Sequence, residues 1–475
     1  MKRRWSQLFA AVSAALLATS APAGTRPLYG GTLRVEMRAA PAQYWPLRGA
    51  GEEQRAREHI AALVFDRLVT LDAQERPVPA LATAWQMELE GRRWHFQVRP
   101  ALLHNGAALA PRLIVASLAE SLAAADPDIR VQLNGDEVVV ESPTPHPDLL
   151  YELALVRNSV AARASDGAVV GSGPFRVAEW QAGRHAVLVA NEEYWGGRPY
   201  LDAIDILMGR SLRDQELDFR LARADAVEAP LGAAPQVQEG VRVASAPVEL
   251  VGVECDSEDT AEQERLCRAL SLAVDRDALY SVILQRQGEA AGGLLPQWIS
   301  GYAFLFSTRA QIERARQAVA GSAKRSLALA YDGADPLARA LAERVAVNAR
   351  DAGITVQPVA ETATSRVGNA GARIATRWLE SPAAAVALQA LATSGARDAA
   401  GLSTSGQLPA LKPDDSYGRE LSLLQRERFV PLVFLPESWN LGTRVRGWES
   451  RRDGAWPLAD TWLETRLEPR LESRP

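Results

Sequence analysis

The chain has 475 residues, of which 47% are hydrophobic and 23% charged, and its formal net charge is −5. This length exceeds a typical domain of about 100–200 residues, so we expect two or three domains of ordinary globular composition. The weak negative charge gives no basis for binding nucleic acid or an anionic membrane surface.

The first residues have the pattern of a secretory signal peptide. Basic residues at positions 2–4 precede the apolar run 8–17, and small residues follow at 21–23. We therefore expect residues 1–23 to be a signal peptide, with a mature chain that begins near Gly24. No later stretch reaches the ~20 apolar residues that a spanning helix needs, and no Cys lies near the cleavage site. The sequence thus predicts a soluble periplasmic protein without a lipid anchor.

Hydrophobic periodicity predicts mixed strands and helices in the first third of the chain. Strands are predicted at 31–37, 68–72 and 94–99, a hairpin at 131–141 around Asn134-Gly135, and helices at 52–66, 110–124 and 149–156. Residues 77–85 are predicted to form a turn followed by a short helical stretch.

Residues 171–208 organise the middle of the chain. The pattern predicts a strand at 175–180, a turn at Ala182-Gly183, a strand at 186–190, an aromatic loop at 191–202 and a strand at 204–208. In the loop, Tyr194, Trp195 and Tyr200 stand beside two glycines and a proline, which fix the shape of a loop. A structural corner packed on a sheet is favoured over direct contact with a ligand.

The second half continues the alternation and contains a βαβ unit. Helices are predicted at 212–223, 262–272 and 275–284, a connecting segment at 230–240, strands at 248–255 and 429–435, the βαβ unit at 327–356, and loops at 360–372 and 393–416.

The chain has two cysteines, Cys255 and Cys267. An even number in a chain expected to be exported favours a disulfide. Two buried thiols are the alternative. A metal site is not expected, because no histidine lies nearby to complete the ligand set.

Six sequence blocks follow one another along the chain in an order that resembles a known family. They are GGTLRV (30–35), LVFDRL with PALATAW (63–68, 79–85), FQVR with HNG (96–99, 104–106), GSGPF with the aromatic loop (171–175, 191–202), RALSLAVDR (268–276) and PLVFL (431–435). Together they resemble the family 5 extracellular solute-binding proteins, which are the dipeptide-, oligopeptide- and nickel-binding components of bacterial ABC importers.

The resemblance implies an α/β fold of two lobes around a cleft, with an extra α+β domain on lobe one. The implied bounds are 25–55, 165–247 and 430–475 for lobe one, 56–164 for the extra domain, and 248–429 for lobe two. Residues 230–247 and the segment before Phe429 would then be the hinges. A cleft between lobes is a usual place for a ligand.

The resemblance also points to Glu380. Peptide-binding members pair the ligand's α-amino group with an acidic residue of lobe two, in a stretch like W-x-x-D-Y-P-D-P. The stretch here is Trp378-Leu379-Glu380-Ser381-Pro382, which is shorter and keeps one acid. Glu380 is therefore the predicted anchor for a ligand cation, and a solvated glutamate at a helix start is the alternative.

Other ligand-binding candidates are mostly aromatic side chains in the implied cleft, because aromatic rings give large contact areas with few rotatable bonds. These candidates are Tyr44, Trp45, Asp256, Trp298, Tyr302, Trp378 and Trp439. Packing in a core is the competing interpretation for each aromatic residue.

Metal-dependent and enzymatic functions find little support. None of the five histidines is paired at helical i, i+4 spacing, so nickel is the weaker ligand prediction and no cofactor is expected. G-x-S-x-G, H-E-x-x-H and Walker motifs do not occur.

The sequence therefore predicts a monomeric periplasmic binding protein. It would deliver a small ligand, foremost a peptide, to the permease subunits of an ABC transporter by hinge closure. A non-transport sensor, or a degenerate interaction protein on the same fold, is the alternative that the altered stretch around Glu380 motivates.

Overall fold

The structure is a computed structural model. It describes residues 26–45, 51–124, 126–163, 167–229, 231, 240–255, 261–302, 304–323, 325–362, 370–393, 415–425, 428–449, 451–452, 455–456 and 458–464. The predicted signal peptide and Asp256 lie outside these residues, as does most of the predicted connecting segment 230–240.

Strands and helices alternate along the described chain. The strands are β1 (Thr32–Glu36), β2 (Val69–Leu71), β3 (Pro77–Pro79), β4 (Ala82–Glu88), β5 (Arg93–Val98), β6 (Arg130–Asn134), β7 (Glu137–Glu141), β8 (Ala162–Arg163), β9 (Val169–Val170), β10 (Phe175–Gln181), β11 (His185–Ala190), β12 (Ala203–Leu207), β13 (Ala226–Glu228), β14 (Gly240–Cys255), β15 (Glu289–Ala290), β16 (Ser326–Asp332), β17 (Thr355–Glu361), β18 (Ala372–Trp378), β19 (Phe429–Gly442), β20 (Val445–Arg446) and β21 (Trp462–Leu463). The helices are α1 (Gly51–Val64), α2 (Pro111–Ala123), α3 (Leu149–Leu153), α4 (Leu212–Arg220), α5 (Ala261–Ala273), α6 (Arg276–Ala278), α7 (Gln297–Ser300), α8 (Ile312–Ala318), α9 (Pro336–Asp351), α10 (Ala384–Thr393) and α11 (Ser416–Gln425).

One large sheet runs through most of the molecule in the order β10-β11-β12-β1-β13-β19-β14-β18-β16-β17, with β15 paired to β19. β1 is parallel to both β12 and β13, whereas β14 and β19 are antiparallel to each other. β16 and β17 are parallel and joined through α9, so the predicted βαβ unit is confirmed.

β14 and β19 are the two strands that connect the two halves of this sheet. Val433 and Leu435 of β19 pack in a core with β16 and α9, whereas Trp439 and Leu441 pack in a core with β1 and α1. The change of core falls between Leu435 and Trp439. The hinges expected at 230–247 and before Phe429 stay a prediction. The register of β14 against β19 is irregular in the same region, between Ala244 and Glu249.

We call the half built around β1 and β10–β13 the first lobe, and the half built around β14–β18 with α5 and α9 the second lobe. The first lobe buries alternate residues of β1 and β12 against α1. Such alternation is typical of strands with one face in the core. The numerical bounds given above for the lobes stay a prediction.

A smaller sheet lies beside the first lobe, in the order β4-β5-β7-β6. Ile114, Leu118 and Leu122 of α2 follow helical spacing and pack with Phe96 and Val138 of the sheet in a core of their own. The predicted β6–β7 hairpin is present, but its two-residue turn is Gly135-Asp136, one residue later than predicted, because Asn134 pairs with Glu137.

Some local predictions are wrong. Residues 77–85, predicted as a turn and a helical stretch, contain β3 and most of β4. β4 pairs along its length with β5, and this pairing overrides the helix preference of its alanines. The helix predicted to run to Leu284 changes to a π-helical turn at Leu279–Ile283. Helix α10 was not predicted.

Candidate ligand-binding cleft

A cleft of about 330 Å³ lies between the two lobes. Its walls come from segments far apart in sequence, which only the sheet order brings together. They include residues 37–39, the α1 side chains Arg55, Ala56 and His59, residues 228–229 and Glu249, residues 335–337 at the start of α9, Trp378, and residues 435–439 of β19. Both lobes therefore line the same space.

Helix α1 turns a polar face toward this interface. Arg55, Glu58 and His59 lie at spacings of three and four, so they share one side of the helix. All three side chains are buried. Buried charged groups require partners, and strand β19 supplies one of them.

Glu437 of β19 is that partner. One carboxylate oxygen, Oε2, accepts a hydrogen bond from Arg55 at 3.0 Å, and Oε1 lies 2.6 Å from His59 Nε2. The indole nitrogen of Trp439 donates to Oε1 at 3.2 Å. Burial opposes the charge of Glu437, but the charges and hydrogen bonds of His59 and Arg55 outweigh it and lower its pKa to about 2. Glu437 is therefore an anion that fixes α1 to the strand joining the lobes.

Two further carboxylates line the cleft, each directly opposite a tryptophan on the neighbouring strand. Glu228 of β13 is paired with Trp439 of β19, and Glu249 of β14 is paired with Trp378 of β18. Opposite residues on neighbouring strands place their side chains on the same face of the sheet. The donors to the Glu228 carboxylate include the Arg38 backbone N–H at 2.9 Å and the Gln215 side-chain amide at 2.8 Å.

The second lobe also contributes the first turn of α9. Asp335 caps this helix, because its carboxylate accepts a hydrogen bond from the Leu337 N–H at 2.8 Å. Asp335 adds another acid to the cleft wall.

Of the predicted ligand-binding residues, the structure places Trp378 and Trp439 in the cleft wall. The guanidinium of Arg55 lies 5.1 Å from the centre of the Trp378 ring, a cation–π distance. Trp439 is buried and packs edge-on against His59 and Trp456. Both tryptophans thus contact α1 or its partners as well as lining the cleft.

Tyr44 and Trp45 pack against the first-lobe core and are not among the cleft-lining residues. The Tyr44 ring stacks on Phe65 and meets Trp180 edge-on. Its hydroxyl donates to the Val169 carbonyl at 3.4 Å. These contacts fit the alternative of core packing.

Trp298 and Tyr302 lie in the second lobe, also outside the cleft lining. The Trp298 indole donates to the Pro247 carbonyl at 2.9 Å, on strand β14. The Tyr302 hydroxyl is hydrogen-bonded to the buried carboxylate of Glu420. Their contacts join loops to the sheet and to α11.

Glu380 lies just beyond β18 and is bound to a residue outside the second lobe. Its Oε2 accepts a hydrogen bond from Arg157 Nη1 at 2.9 Å, and Arg157 Nη2 donates to Glu152 at 3.0 Å. The Glu380 side chain is 11% exposed, and it is not among the residues that line the cleft. Its role as an anchor for a ligand cation stays a prediction, and Arg157 is its partner in this structure.

Glu58 is close to the same carboxylate. Burial raises the pKa of Glu58 to about 8, and the charge of Glu380 adds to the shift, while Arg55, Gln54 and Arg157 oppose it. The Gln54 amide donates to Glu58 at 2.6 Å. The contact between α1 and the end of β18 therefore contains a carboxyl that holds its proton at neutral pH.

The sequence reasoning missed the charged part of the cleft: Arg55, His59, Glu228, Glu249 and Glu437. One signal was present, since Arg55 and His59 share a helical face with apolar neighbours. The sequence around Glu228, Glu249 and Glu437 contains no such signal, because each is a single acid in or at the end of an apolar strand. Only the sheet order places them around one space.

The described residues hold no group of three or more histidine, cysteine, aspartate or glutamate side chains arranged to bind a metal ion. Cys255 and Cys267 are joined by a disulfide between the end of β14 and α5. None of the described helices has both the length and the apolar character needed to cross a membrane.

The fold and the cleft together define a two-lobed binding protein, and comparison with known proteins agrees. The model of the bacterial extracellular solute-binding proteins, family 5, middle region, matches residues 76–397. This match covers more than half of the chain. The chain therefore belongs to the family 5 bacterial extracellular solute-binding proteins.

Solved structures share the fold at low sequence identity. The oligopeptide-binding protein AppA of Bacillus subtilis, solved with a nonapeptide, is similar with a TM-score of 0.73 and 16% identity, over 93% of this chain and 100% of that chain. NikZ of Campylobacter jejuni, solved with Ni(L-His), gives a TM-score of 0.75 and 16% identity, over 91% of this chain and 99% of NikZ. Likeness at this identity establishes the fold and leaves the ligand open.

A curated relative matches a shorter segment. The uncharacterized protein YhjP of Bacillus subtilis is 32% identical over 164 residues, which is 32% of this chain and 28% of YhjP. The family and the fold are those of binding proteins rather than enzymes.

Proposed function

We propose that this chain is the ligand-binding component of an ABC importer, which captures a short peptide or a related small ligand and delivers it to the permease subunits. The observation that carries the proposal is the cleft lined by both lobes. Support for a peptide comes from family membership and from AppA, whose structure holds a nonapeptide.

The proposed mechanism is hinge closure. A ligand that touches both walls binds the closed form more tightly than the open form, so it shifts the population toward closure. The lobes are joined by β14 and β19, and the pairing of these strands is irregular between Ala244 and Glu249. Few backbone dihedrals need to change for such a motion.

A thermal-shift screen with di- to hexapeptides at millimolar concentration tests the binding step. A ligand at 100 times its dissociation constant adds about 2.7 kcal/mol to the stability of the protein, so the melting temperature should rise by several degrees. If no peptide in the panel raises the melting temperature, the peptide proposal is wrong.

Uptake of the bound peptide by the producing cells tests the delivery step. Deleting the gene should abolish uptake of the labelled peptide, and the intact gene should restore it. Binding in vitro with unchanged uptake in the deletion strain would instead favour the non-transport sensor.

We also propose that the mature protein is periplasmic and monomeric, without a lipid anchor. The predicted signal peptide supports export. Cell fractionation with N-terminal sequencing should give a soluble chain beginning near Gly24, and light scattering should give the mass of one chain. A dimer mass, or an unprocessed N-terminus in the cytoplasm, would contradict this proposal.

A further inference from the structure

The two lobes also touch each other directly, where helix α1 of the first lobe lies against β18 of the second lobe. One part of this contact is the cation–π pair of Arg55 with Trp378, at 5.1 Å. The other part is a group of largely buried charged side chains at the end of β18, which we call the interlobe cluster. Its members are Glu58, Glu152, Arg157 and Glu380.

The interlobe cluster has two sides. Helix α1 packs against Val156–Asn158 as well as against β18. Glu58 and Arg157 therefore belong to one side of the contact, and Glu380, which follows β18, belongs to the other. A motion that separates the lobes would part Glu380 from both of them.

The cluster brings three carboxyl groups together with one guanidinium. Arg157 Nη1 donates to Glu380 at 2.9 Å, and Arg157 Nη2 donates to Glu152 at 3.0 Å. Both ends of this guanidinium are thus engaged by the other two carboxylates. Glu58 accepts a hydrogen bond from a neutral donor, the Gln54 amide, at 2.6 Å.

The arginine nearest to Glu58 on its own helix is held by another acid. Arg55 Nη1 is 3.7 Å from Glu58, beyond hydrogen-bond distance, whereas Arg55 Nη2 is 3.0 Å from Glu437 of β19. The other charged groups that face Glu58 include Arg57 on α1, and Arg157 and Glu380 of the cluster. An ionised Glu58 would therefore add a negative charge opposite Glu380, which is already ion-paired.

The acidity of Glu58 depends on the contact being closed. Burial and the charge of Glu380 raise the pKa of Glu58 to about 8, against the opposing effects of Arg55, Gln54 and Arg157. Separating α1 from β18 would admit water to Glu58 and move the Glu380 charge away, so both causes of the raised pKa would weaken. The closed form therefore binds this proton more tightly than an open form, and closure is favoured at low pH and disfavoured as the pH rises through about 8.

We propose that the interlobe cluster is a pH-sensitive switch, which holds the lobes together while Glu58 carries a proton and releases them when Glu58 ionises opposite Glu380. The inference goes beyond the proposed function, because this opening needs no ligand. Each unit by which opening lowers the pKa of Glu58 changes the ratio of closed to open protein at high pH by a factor of ten.

The test is small-angle X-ray scattering of the mature protein without ligand at about pH 6.5 and about pH 9.5, on either side of the pKa of Glu58. The radius of gyration of the wild type should rise between these two values and fall again when the pH is lowered. Glu58→Gln should keep the smaller radius at both values, because glutamine retains the hydrogen-bonding capacity of the side chain and cannot ionise. A wild-type radius that does not change with pH would overturn the switch.

Two further variants complete the design. Glu343→Gln is the matched control, because Glu343 is exposed on α9 and pairs with Arg339 at 2.8 Å. This control should open with rising pH as the wild type does. If Glu58→Gln does not fold, Glu58→Met supplies an uncharged side chain of similar length, and it should also stay closed at both pH values.

Each outcome has a separate meaning. An equal rise of the radius in the wild type and in Glu58→Gln would assign the opening to other titrating groups and overturn the switch. A rise confined to the proteins that keep Glu58 would support it. If that rise is seen while the peptide screen fails, the proposed function is wrong and the switch stands. If peptides bind and the radius does not depend on pH, the switch alone is wrong.

Discussion

Asp66 ties the aromatic loop 191–202 to the end of α1. Its carboxylate accepts hydrogen bonds from Ser172 Oγ at 2.8 Å, Tyr194 Oη at 3.1 Å and Trp195 Nε1 at 3.0 Å. Burial raises the pKa of Asp66 to about 6, although the three donors oppose the shift. The aromatic loop is therefore a packed structural corner, as the sequence favoured.

Asp66→Ala should lower the free energy of unfolding by about 3 kcal/mol, because it leaves buried donors without an acceptor. Tyr194→Phe, which removes one donor, should cost about 1 kcal/mol. Urea denaturation of the ligand-free protein measures both. A loss for Asp66→Ala no larger than that for Tyr194→Phe would show that the three hydrogen bonds do not depend on this carboxylate.

Glu58 gives a pH dependence whose sign follows from its pKa. The pKa is raised from 4.5 to about 8, so the folded protein binds a proton that the unfolded chain releases between these values. The contribution of the protonated Glu58 to the free energy of unfolding is fully present below about pH 4.5 and is lost as the pH rises through about 8.

Between pH 5 and pH 9 the titration of Glu58 should lower the unfolding free energy of the wild type by an amount on the order of 3–5 kcal/mol. Glu58→Gln should not show this decrease. Gln keeps the shape and the hydrogen-bonding capacity of the side chain without titrating. The quantity to compare is the unfolding free energy of wild type minus variant at each pH, which cancels the contributions of Asp66 and other groups. Parallel curves for the two proteins would contradict the assignment to Glu58.

At the scale of elements, the Gly-Ser-Gly segment before β10 allows two chain segments to touch. An added Cβ at Gly171 would lie 2.0 Å from the Val64 carbonyl oxygen, at the end of α1. Gly173 N–H donates to the same oxygen at 3.0 Å. The motif that carries part of the family resemblance is therefore a close approach of backbone to backbone.

Gly171→Ala should destabilise the protein by about 3 kcal/mol, because the clash is with backbone and cannot be relieved by a side-chain rotation. Gly371→Ala is the control, since its nearest neighbour would be the Leu327 Cβ at 3.3 Å. Thermal and urea unfolding should rank the two variants in that order. Equal small losses would mean that the end of α1 moves aside easily.

The disulfide between Cys255 and Cys267 joins the end of β14 to α5, and both cysteines are buried. A closed loop with a sequence separation of 12 contributes roughly 3 kcal/mol in the chain-entropy model. The double variant Cys255→Ala/Cys267→Ala should lose about this amount in urea denaturation. Reductant should lower the unfolding free energy of the wild type to that of the variant and leave the variant unchanged. If the variant also responds to reductant, the loss of stability has a cause other than the disulfide.

At the scale of the whole molecule, the sequence predicts the fold better than the site. The family blocks lie in strands, turns and helix ends whose local patterns are readable, such as β1, the Gly171–Phe175 segment and the end of α5. The cleft depends on the sheet order, in which β13 and β14 flank β19 although they are distant from it in sequence. Trp378 and Trp439 were found through the resemblance, whereas Glu228 and Glu249 become neighbours of one cavity only in the folded chain.

The ion pair between Arg157 and Glu380 connects the end of β18 in the second lobe to the segment that follows α3. Arg157 lies beyond α3 and is also held by Glu152, so removing the Glu380 charge leaves Arg157 paired. The link between the two sides would be lost while each side stays folded. A charge-assisted hydrogen bond of this kind contributes about 1.5–3 kcal/mol to the contact between the two sides, and we expect hinge opening to break it.

Glu380→Gln should therefore open the ligand-free protein, seen as a larger radius of gyration in X-ray scattering, and weaken ligand binding by about 10-fold or more. Arg339→Ala, which breaks an exposed pair with Glu343, should change neither. Because Arg157 occupies the Glu380 carboxylate, we expect equal weakening for free-amine and N-acetylated peptides. A selective loss for free-amine peptides would instead show that Glu380 anchors the ligand's amino group and that Arg157 yields its place on binding.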